Sequence, residues 1–510
     1  MSPIAGRFRE TLCEKNGFAT VVELVAWRGE ATAGRGRRAL AVADELAGHP
    51  RITALSITDG AGGHPAAAPE RIAPRYLAKG QELIIHVACR DHNRAGLQGR
   101  GWDLASQGLT NVLAVSGDFP HEAQAGLSRP VFDLDSVSLL QMYAGLVSPP
   151  LFLGAVVNNH KRFERELMPQ YFKLALKIRS GAGFIISQIG YDARKQDELL
   201  RYMRLQGLDV PVLANVGILS PAVARLFHGG GIPGCVVTDE LMTIVERHAA
   251  APDQGRGFFL ELAARQVAIA RGLGFRGVYL SGHHSADEVE RVLAMADTYG
   301  GGDWREFARE LQFGWPDGCY YFEPDPDTGL NRDALHPAYL ASMTTPARQQ
   351  ARARAPLGYR LARAMHAAVF TPGTPGFRLG ARVFGAAERH GLGRPLHVLE
   401  QAVKVPLFDC RDCGDCSLSE LAYLCPESGC PKRLRNGPCG GTNEGRCEAA
   451  DHPCVWALAY DRLKPYGEEA KMLDRPAVIT DNALRRTSAW ANTFLQRDHQ
   501  ARHHQPEGSP

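Results

Sequence analysis

No stretch of this chain approaches the ~20 consecutive apolar residues that a membrane-spanning helix needs. Its first residues, MSPIAGRFRETLCEKNGFAT, lack the long apolar core of a secretory signal. A large excess of one charge is also missing: the formal net charge is +3 over 510 residues, which gives no reason to expect nucleic acid or an anionic membrane as partner. Cysteine is scarce through most of the length. Residues 1–407 hold only Cys13, Cys89, Cys235 and Cys319, which read as small core residues. Neither a G-x-S-x-G nucleophile elbow nor a phosphate-binding P-loop occurs. The match to G-x-G-x-x-G at 272–277, GLGFRG, follows a helical run and precedes a strand, the reverse of a dinucleotide fingerprint, so it reads as a helix C-cap and turn. Together these absences lead to the expectation of a cytoplasmic enzyme. In that reducing compartment, clustered thiols are expected to bind metal rather than to pair as disulfides.

What the chain does have is a series of short β-rich runs. They are TVVELV (20–25), ITALSITD (52–59), LIIHVAC (83–89), NVLAVSGD (111–118), LFLGAVVNN (151–159), GFIISQIGYD (183–192), PVLANVG (211–217) and GVYLSGHH (277–284). Most are continuously apolar rather than alternating, as parallel strands covered on both faces should be. Helix-like segments separate them. Eight strands alternating with helices over this length predict an α/β fold of the (β/α)8 barrel type, with a doubly wound sheet as the alternative. The expected organisation is a barrel over 1–300, an extension and helical linker over 301–404, a cysteine-rich module over 405–465, and a C-terminal helix and tail over 466–510. The Arg- and Ala-rich stretch 346–370 reads as a packed helix with a solvated arginine face.

Barrel active sites lie at the C-terminal ends of the strands. The polar residues there include Glu23, Thr58, Asp59, His86, Ser116, Asp118, Asn158, Gln188, Asn215, Ser281 and His283. Glu23, between Val21–Val22 and Leu24–Val25, is costly to bury ionised, so burial would raise its pKa and prepare it as a general acid. Asp118 follows a glycine where the chain leaves its strand; Gln188 offers donor and acceptor to a heterocycle edge.

Several of these pieces together resemble the methylenetetrahydrofolate reductase family: VVELVAWRG, SITDGAG, HVAC, VSGDFP, LKIRSGA and FIISQIGYD, in order, over ~270 residues. The resemblance implies a flavin-binding barrel (FAD or FMN) that reduces 5,10-methylenetetrahydrofolate to 5-methyltetrahydrofolate. It implies Glu23 as general acid and Asp118 as the carboxylate between flavin and pterin. Asp118, Gln188 and His283 would contact the folate. Thr58, Ala61, His86, Gly117, Asp118, Asn158 and Lys177 would contact the flavin, Lys177 at its phosphate. Three departures stand out: Ser116 where the family often has arginine, Asp59 where it has tyrosine, and His283 where an arginine would meet folate. They leave open a non-catalytic electron-transfer or scaffold subunit, and a folate-dependent methyltransferase.

Against the scarcity upstream, FDCRDCGDCSLSELAYLCPESGC (408–430) holds five cysteines, and three follow. The set is Cys410, Cys413, Cys416, Cys425, Cys430, Cys439, Cys447 and Cys454. The opening C-x2-C-x2-C spacing is that of iron–sulfur ligation, and eight thiolates divide into two four-thiolate sites, so [4Fe–4S] clusters are preferred and zinc is the alternative. CPKRLRNGPCGGTNEGRCE resembles the C-terminal module found with methylenetetrahydrofolate reductases, there linked to iron–sulfur electron transfer. The expected partners are a folate substrate and either NAD(P)H or a reduced electron-transfer protein; a homo-oligomer is left open.

Overall fold

The computed structural model describes residues 6–30, 34–60, 62–120, 127–282 and 284–502. Eight parallel strands close into a barrel in sequence order. They are β1 (Ala19–Leu24), β2 (Ala54–Ile57), β3 (Leu83–Ala88), β4 (Asn111–Val115), β5 (Phe152–Val157), β6 (Phe184–Ser187), β7 (Val212–Gly217) and β8 (Gly277–Ser281), and β1 pairs with both β2 and β8. All eight predicted runs form strands. GLGFRG does what its position implied: Gly274, at φ +94°, caps the helix Arg256–Leu273, and β8 starts at Gly277.

The barrel is filled, as its period of two requires. Val21, Ala54, Ile84, Leu113, Phe152, Phe184, Ile186, Leu213 and Tyr279 share one core. The helix Arg7–Cys13 plugs the lower end with Phe8, which meets Phe152 and Phe184 edge-on at 6.0 and 5.3 Å between ring centroids. With the floor closed, the polar ends of the inward rows face the other mouth.

The chain divides into two compact units: 1–339 with 439–444, and 340–438 with 445–510. The extension up to residue 339 packs on the barrel because its polar groups are bound there. Tyr320 Oη donates to Asp192 at 2.5 Å, Tyr321 N to Glu198 at 2.5 Å, and Asn331 N to Asp197 at 3.0 Å. The second unit is mainly helical around Phe377, Phe384, Ala491 and Phe494. Its helices include Thr345–Arg354, Leu357–Met365, Pro375–Arg389 and Gly393–Phe408. Among the described residues no helix is long and apolar enough to cross a membrane.

Candidate active site

The inward rows of β1, β2, β3 and β8 converge on a hydrogen-bonded group at the mouth. Register sets it up: Glu23 lies beside Ser56, and Val21 beside Tyr279 across the β1–β8 closure. Tyr279 Oη donates to Glu23 Oε1 at 3.3 Å and lies 3.2 Å from both Ser56 Oγ and His86 Nε2; Ser56 Oγ is 2.9 Å from the same imidazole nitrogen. The backbone N–H of Gly282 donates to Glu23 Oε2 at 2.7 Å. Glu23 is half-buried, and burial raises its pKa against the opposing pull of the Gly282 N–H and the Tyr279 hydroxyl. Burial lowers His86 to about 3, so its imidazole is neutral at working pH. On the opposite wall Ser281 Oγ donates to Asn215 Oδ1 at 2.6 Å.

Cys235 connects this group to the next strands. Its thiol lies 3.9 Å from Gln188 Oε1, and burial, then Asp118 and Glu23, push it up to about 12. Cys235 thus touches Gln188 and lies within electrostatic reach of Asp118 and Glu23. Gly117, at φ +84°, turns the chain out of β4 before Asp118, and a Cβ there would meet Arg90 Cβ at 3.1 Å.

The other predicted positions are engaged within the protein. Thr58 Oγ1 accepts Ala26 N at 2.7 Å. Asn158 Nδ2 donates to the carbonyls of Gly234 at 3.2 Å and Gly440 at 2.8 Å. Lys177, expected at a flavin phosphate, is held by the backbone. It sits on the helix Glu164–Arg179, its ammonium donates to Val156 O at 2.5 Å, and burial lowers it to about 7. Ala61 and His283 lie outside the described residues.

Two of the departures have local explanations. Asp59 accepts Ala88 N at 2.9 Å and Arg100 Nη1 at 2.6 Å, tying β2 to β3 and to the helix Arg94–Ser106. Ser116 Oγ accepts Ser136 N at 3.1 Å at the start of the helix Ser136–Ala144.

The cysteines divide between the units. Cys439 lies in the segment 439–444 of the barrel unit, the other seven in the second unit. Gln170 Nε2 donates to Cys439 O at 2.7 Å; Lys161 Nζ donates to Gly440 O at 2.6 Å and also to Thr442 O. The segment is thereby pinned at the end of β5. In the second unit Cys410, Cys413, Cys416 and Cys425 line one pocket with Lys404, Asp412 and Arg435. Asp412 N donates to Cys410 Sγ at 3.4 Å, and Lys404 Nζ lies 3.6 Å from Cys416 Sγ. Among the described residues no three His, Cys, Asp or Glu side chains converge closely enough to hold a metal ion directly.

Residues 32–272 match the family model of methylenetetrahydrofolate reductase, and residues 390–482 match that of the methylene-tetrahydrofolate reductase C terminal. The chain belongs to the methylenetetrahydrofolate reductase family. The barrel match begins after β1 and ends before β8, so the Glu23–Tyr279 pair rests on geometry alone. The second match spans all eight clustered thiols. A search of curated proteins gave no match. Among solved structures, similar chains include an uncharacterized protein from Clostridium thermocellum that binds two copies of 5-methyl-5,6,7,8-tetrahydrofolic acid. Its identity is 16%, it covers 57% of this chain and 97% of its own, and its TM-score is 0.39. An aldo-keto reductase from Bacillus halodurans matches at 15% identity over 57% of this chain and 90% of its own, with a TM-score of 0.32.

Sequence reading missed Tyr279, Ser56 and Cys235. Counting inward positions would have placed Ser56 and Tyr279 beside Glu23; nothing local marks Cys235.

Proposed function

We propose that this family member reduces 5,10-methylenetetrahydrofolate to 5-methyltetrahydrofolate at the C-terminal mouth of its barrel, using a flavin. The observation that carries the reading is Glu23, a carboxyl group whose pKa burial raises, held by Tyr279 and the Gly282 N–H. A raised pKa favours the protonated form of Glu23, which is the form a general acid needs.

Glu23 protonates N10 of the imidazolidine ring, and the bond between N10 and the bridging carbon breaks. The electron pair goes to N10 and leaves an iminium between that carbon and N5. A flavin held at the strand ends would, in its reduced form, supply the hydride that completes the methyl group. Glu23, now a carboxylate, is stabilised by its two donors until solvent returns the proton. Asp118 accepts N–H bonds from the pterin amino edge, and Gln188 meets the same heterocycle. Neutral His86 adds no charge; it holds the Tyr279 hydroxyl in place. The Thr58 hydroxyl and the Gly117 backbone, at the ends of β2 and β4, would offer hydrogen bonds to a flavin, whereas the Asn158 amide at the end of β5 is bound to the carbonyls of Gly234 and Gly440.

Four thiols around one pocket, with an N–H aimed at Cys410 Sγ, have the donor chemistry of a thiolate-bound metal. We take [4Fe–4S] as the preferred occupant and zinc as the alternative.

The test separates the two half-reactions of Glu23→Gln under anaerobic conditions. Flavin reduction should keep its rate, and folate reduction should fall by about 10²–10⁴-fold. Equal losses in both, or none in either, would remove Glu23 from this role.

A further inference from the structure

The Gln188 side chain rests on residues outside its own strand. Its oxygen is taken: Oε1 accepts the backbone N–H of Ile189 at 2.9 Å and lies 3.9 Å from the Cys235 thiol. Its nitrogen donates to no group among the described residues, which leaves Nε2 for a ligand acceptor. Beside that nitrogen lies Gly234. A Cβ added there would stand 3.3 Å from Gln188 Nε2, 2.5 Å from Asn158 Nδ2 and 2.7 Å from Gly440 O. At φ +82°, Gly234 lets three groups close around one Cα, where a side chain would be strained and would have no room.

Gly234 and Cys235 belong to the irregular stretch between the helices Pro221–His228 and Asp239–Ala249, and residues 228–232 just before them are exposed. Asn158, at the end of β5, fixes their place. Its Nδ2 donates to Gly234 O at 3.2 Å and to Gly440 O at 2.8 Å, and its Oδ1 accepts His160 N at 3.1 Å, which orients the amide. The segment 439–444 closes the other side. Lys161, 4% exposed, holds it through Gly440 O at 2.6 Å and through Thr442 O. Gln170 holds it through Cys439 O at 2.7 Å, and Arg162 pairs with Glu444. Buried amides and a buried ammonium are costly to take out of water unless they are hydrogen-bonded. Here their bonds converge on the one segment that walls in Gly234.

We infer that Asn158 and Lys161 are positioning residues for the folate site: they clamp 439–444 against Gly234, and Gly234 with Cys235 holds the Gln188 amide so that Nε2 is presented to the heterocycle. The inference rests on the folate reading above and deepens it. Released from its donors, the segment leaves Gly234 without its backing, and the Gln188 amide loses its fixed orientation. One hydrogen bond to the bound heterocycle is then lost in ground state and transition state alike. In turnover the loss falls on KM, and kcat keeps its value within about twofold.

The test is a double-mutant cycle on the full-length protein, read by calorimetric binding of 5-methyltetrahydrofolate. Gln188→Leu should weaken binding by about 3–10-fold, the worth of one hydrogen bond. Lys161→Met should weaken it by at least about threefold in the wild-type background, and by less than about 1.5-fold in Gln188→Leu, because it acts through that amide. Gln170→Leu, which frees Cys439 O, should repeat the pattern. Unchanged amide-exchange protection of β1–β4 reports an intact barrel. Equal losses in both backgrounds mark a general structural role and overturn the proposal, as does no loss in either. Reduction is scored separately. A protein that shows the coupling but leaves 5,10-methylenetetrahydrofolate unreduced keeps the positioning role and loses the reductase reading. One that reduces the folate while the substitutions act additively does the opposite. Wild-type protein that binds no 5-methyltetrahydrofolate removes both.

Discussion

Glu23 is the residue on which chemistry and stability oppose each other. Its folded pKa is raised above the unfolded value, so the stability this group contributes is present at low pH and is lost as pH rises through the folded pKa. Above that point an ionised carboxylate sits where burial disfavours it. Glu23→Gln should therefore raise the melting temperature at pH 8 and leave it nearly unchanged at pH 4, even as it removes folate reduction. Calorimetry at the two pH values reads the difference; a lower melting temperature at pH 8 would contradict the burial argument. Tyr279 tunes the same group downward. Removing its hydroxyl with Tyr279→Phe should raise the Glu23 pKa and move the alkaline limb of the folate-reduction profile upward, by roughly a pH unit or less, since one hydrogen bond contributes about 0.5–1.5 kcal/mol. A limb that stays in place would detach Tyr279 from Glu23. Glu23 was legible in the sequence because a carboxylate inside an apolar run is conspicuous. Tyr279 was not, because a tyrosine in a strand looks like any good β-former. Only closure of β8 onto β1 gives its hydroxyl a partner.

The strands were legible because parallel strands buried on both faces read as unbroken apolar runs, and short runs such as FIIS and ALSI still stood out between glycine and polar turns. Interior close-packing was not legible. Gly154 on β5 leaves room for the Phe184 ring, whose atoms would lie 2.1–2.6 Å from an added Cβ. Gly154→Ala should destabilise the barrel by about 1–3 kcal/mol, read by denaturant titration; an unchanged midpoint would mean the ring can move aside. The segment 439–444 is the larger surprise. Its sequence belongs to the cysteine-rich run, yet Asn158, Lys161 and Gln170 hold its carbonyls at the barrel. Such pairings join residues nearly 300 positions apart, which no local pattern reports. Asn158→Ala with Lys161→Ala should speed amide hydrogen exchange in 439–444 while leaving β1–β4 protected. Equal protection in both proteins would show that the segment is held by something else.

At the scale of the whole molecule, the family matches cover β2 to β7 of the barrel and the thiol-rich region, and the inward carboxylate on β1 is what the proposed chemistry uses. The departures that opened the scaffold alternative weaken as arguments once their surroundings are seen: Asp59 and Ser116 are occupied in holding strands and helices together. Lys177, in the run LKIRSGA that resembles the family, is buried with its ammonium on Val156 O, a partner no sequence pattern reports. The irregular sequence after residue 300, rich in Trp, Pro and Tyr, reads as an extension, while its hydrogen bonds to Asp192, Asp197 and Glu198 become visible only in three dimensions. The most direct measurement is a single turnover. Full-length protein, purified anaerobically and reduced with dithionite, is mixed with 5,10-methylenetetrahydrofolate, and the folate product is quantified by mass. The account predicts one 5-methyltetrahydrofolate per bound flavin, and almost none from Glu23→Gln carrying the same flavin. Reduced, flavin-loaded wild-type protein that returns the substrate unchanged would contradict it.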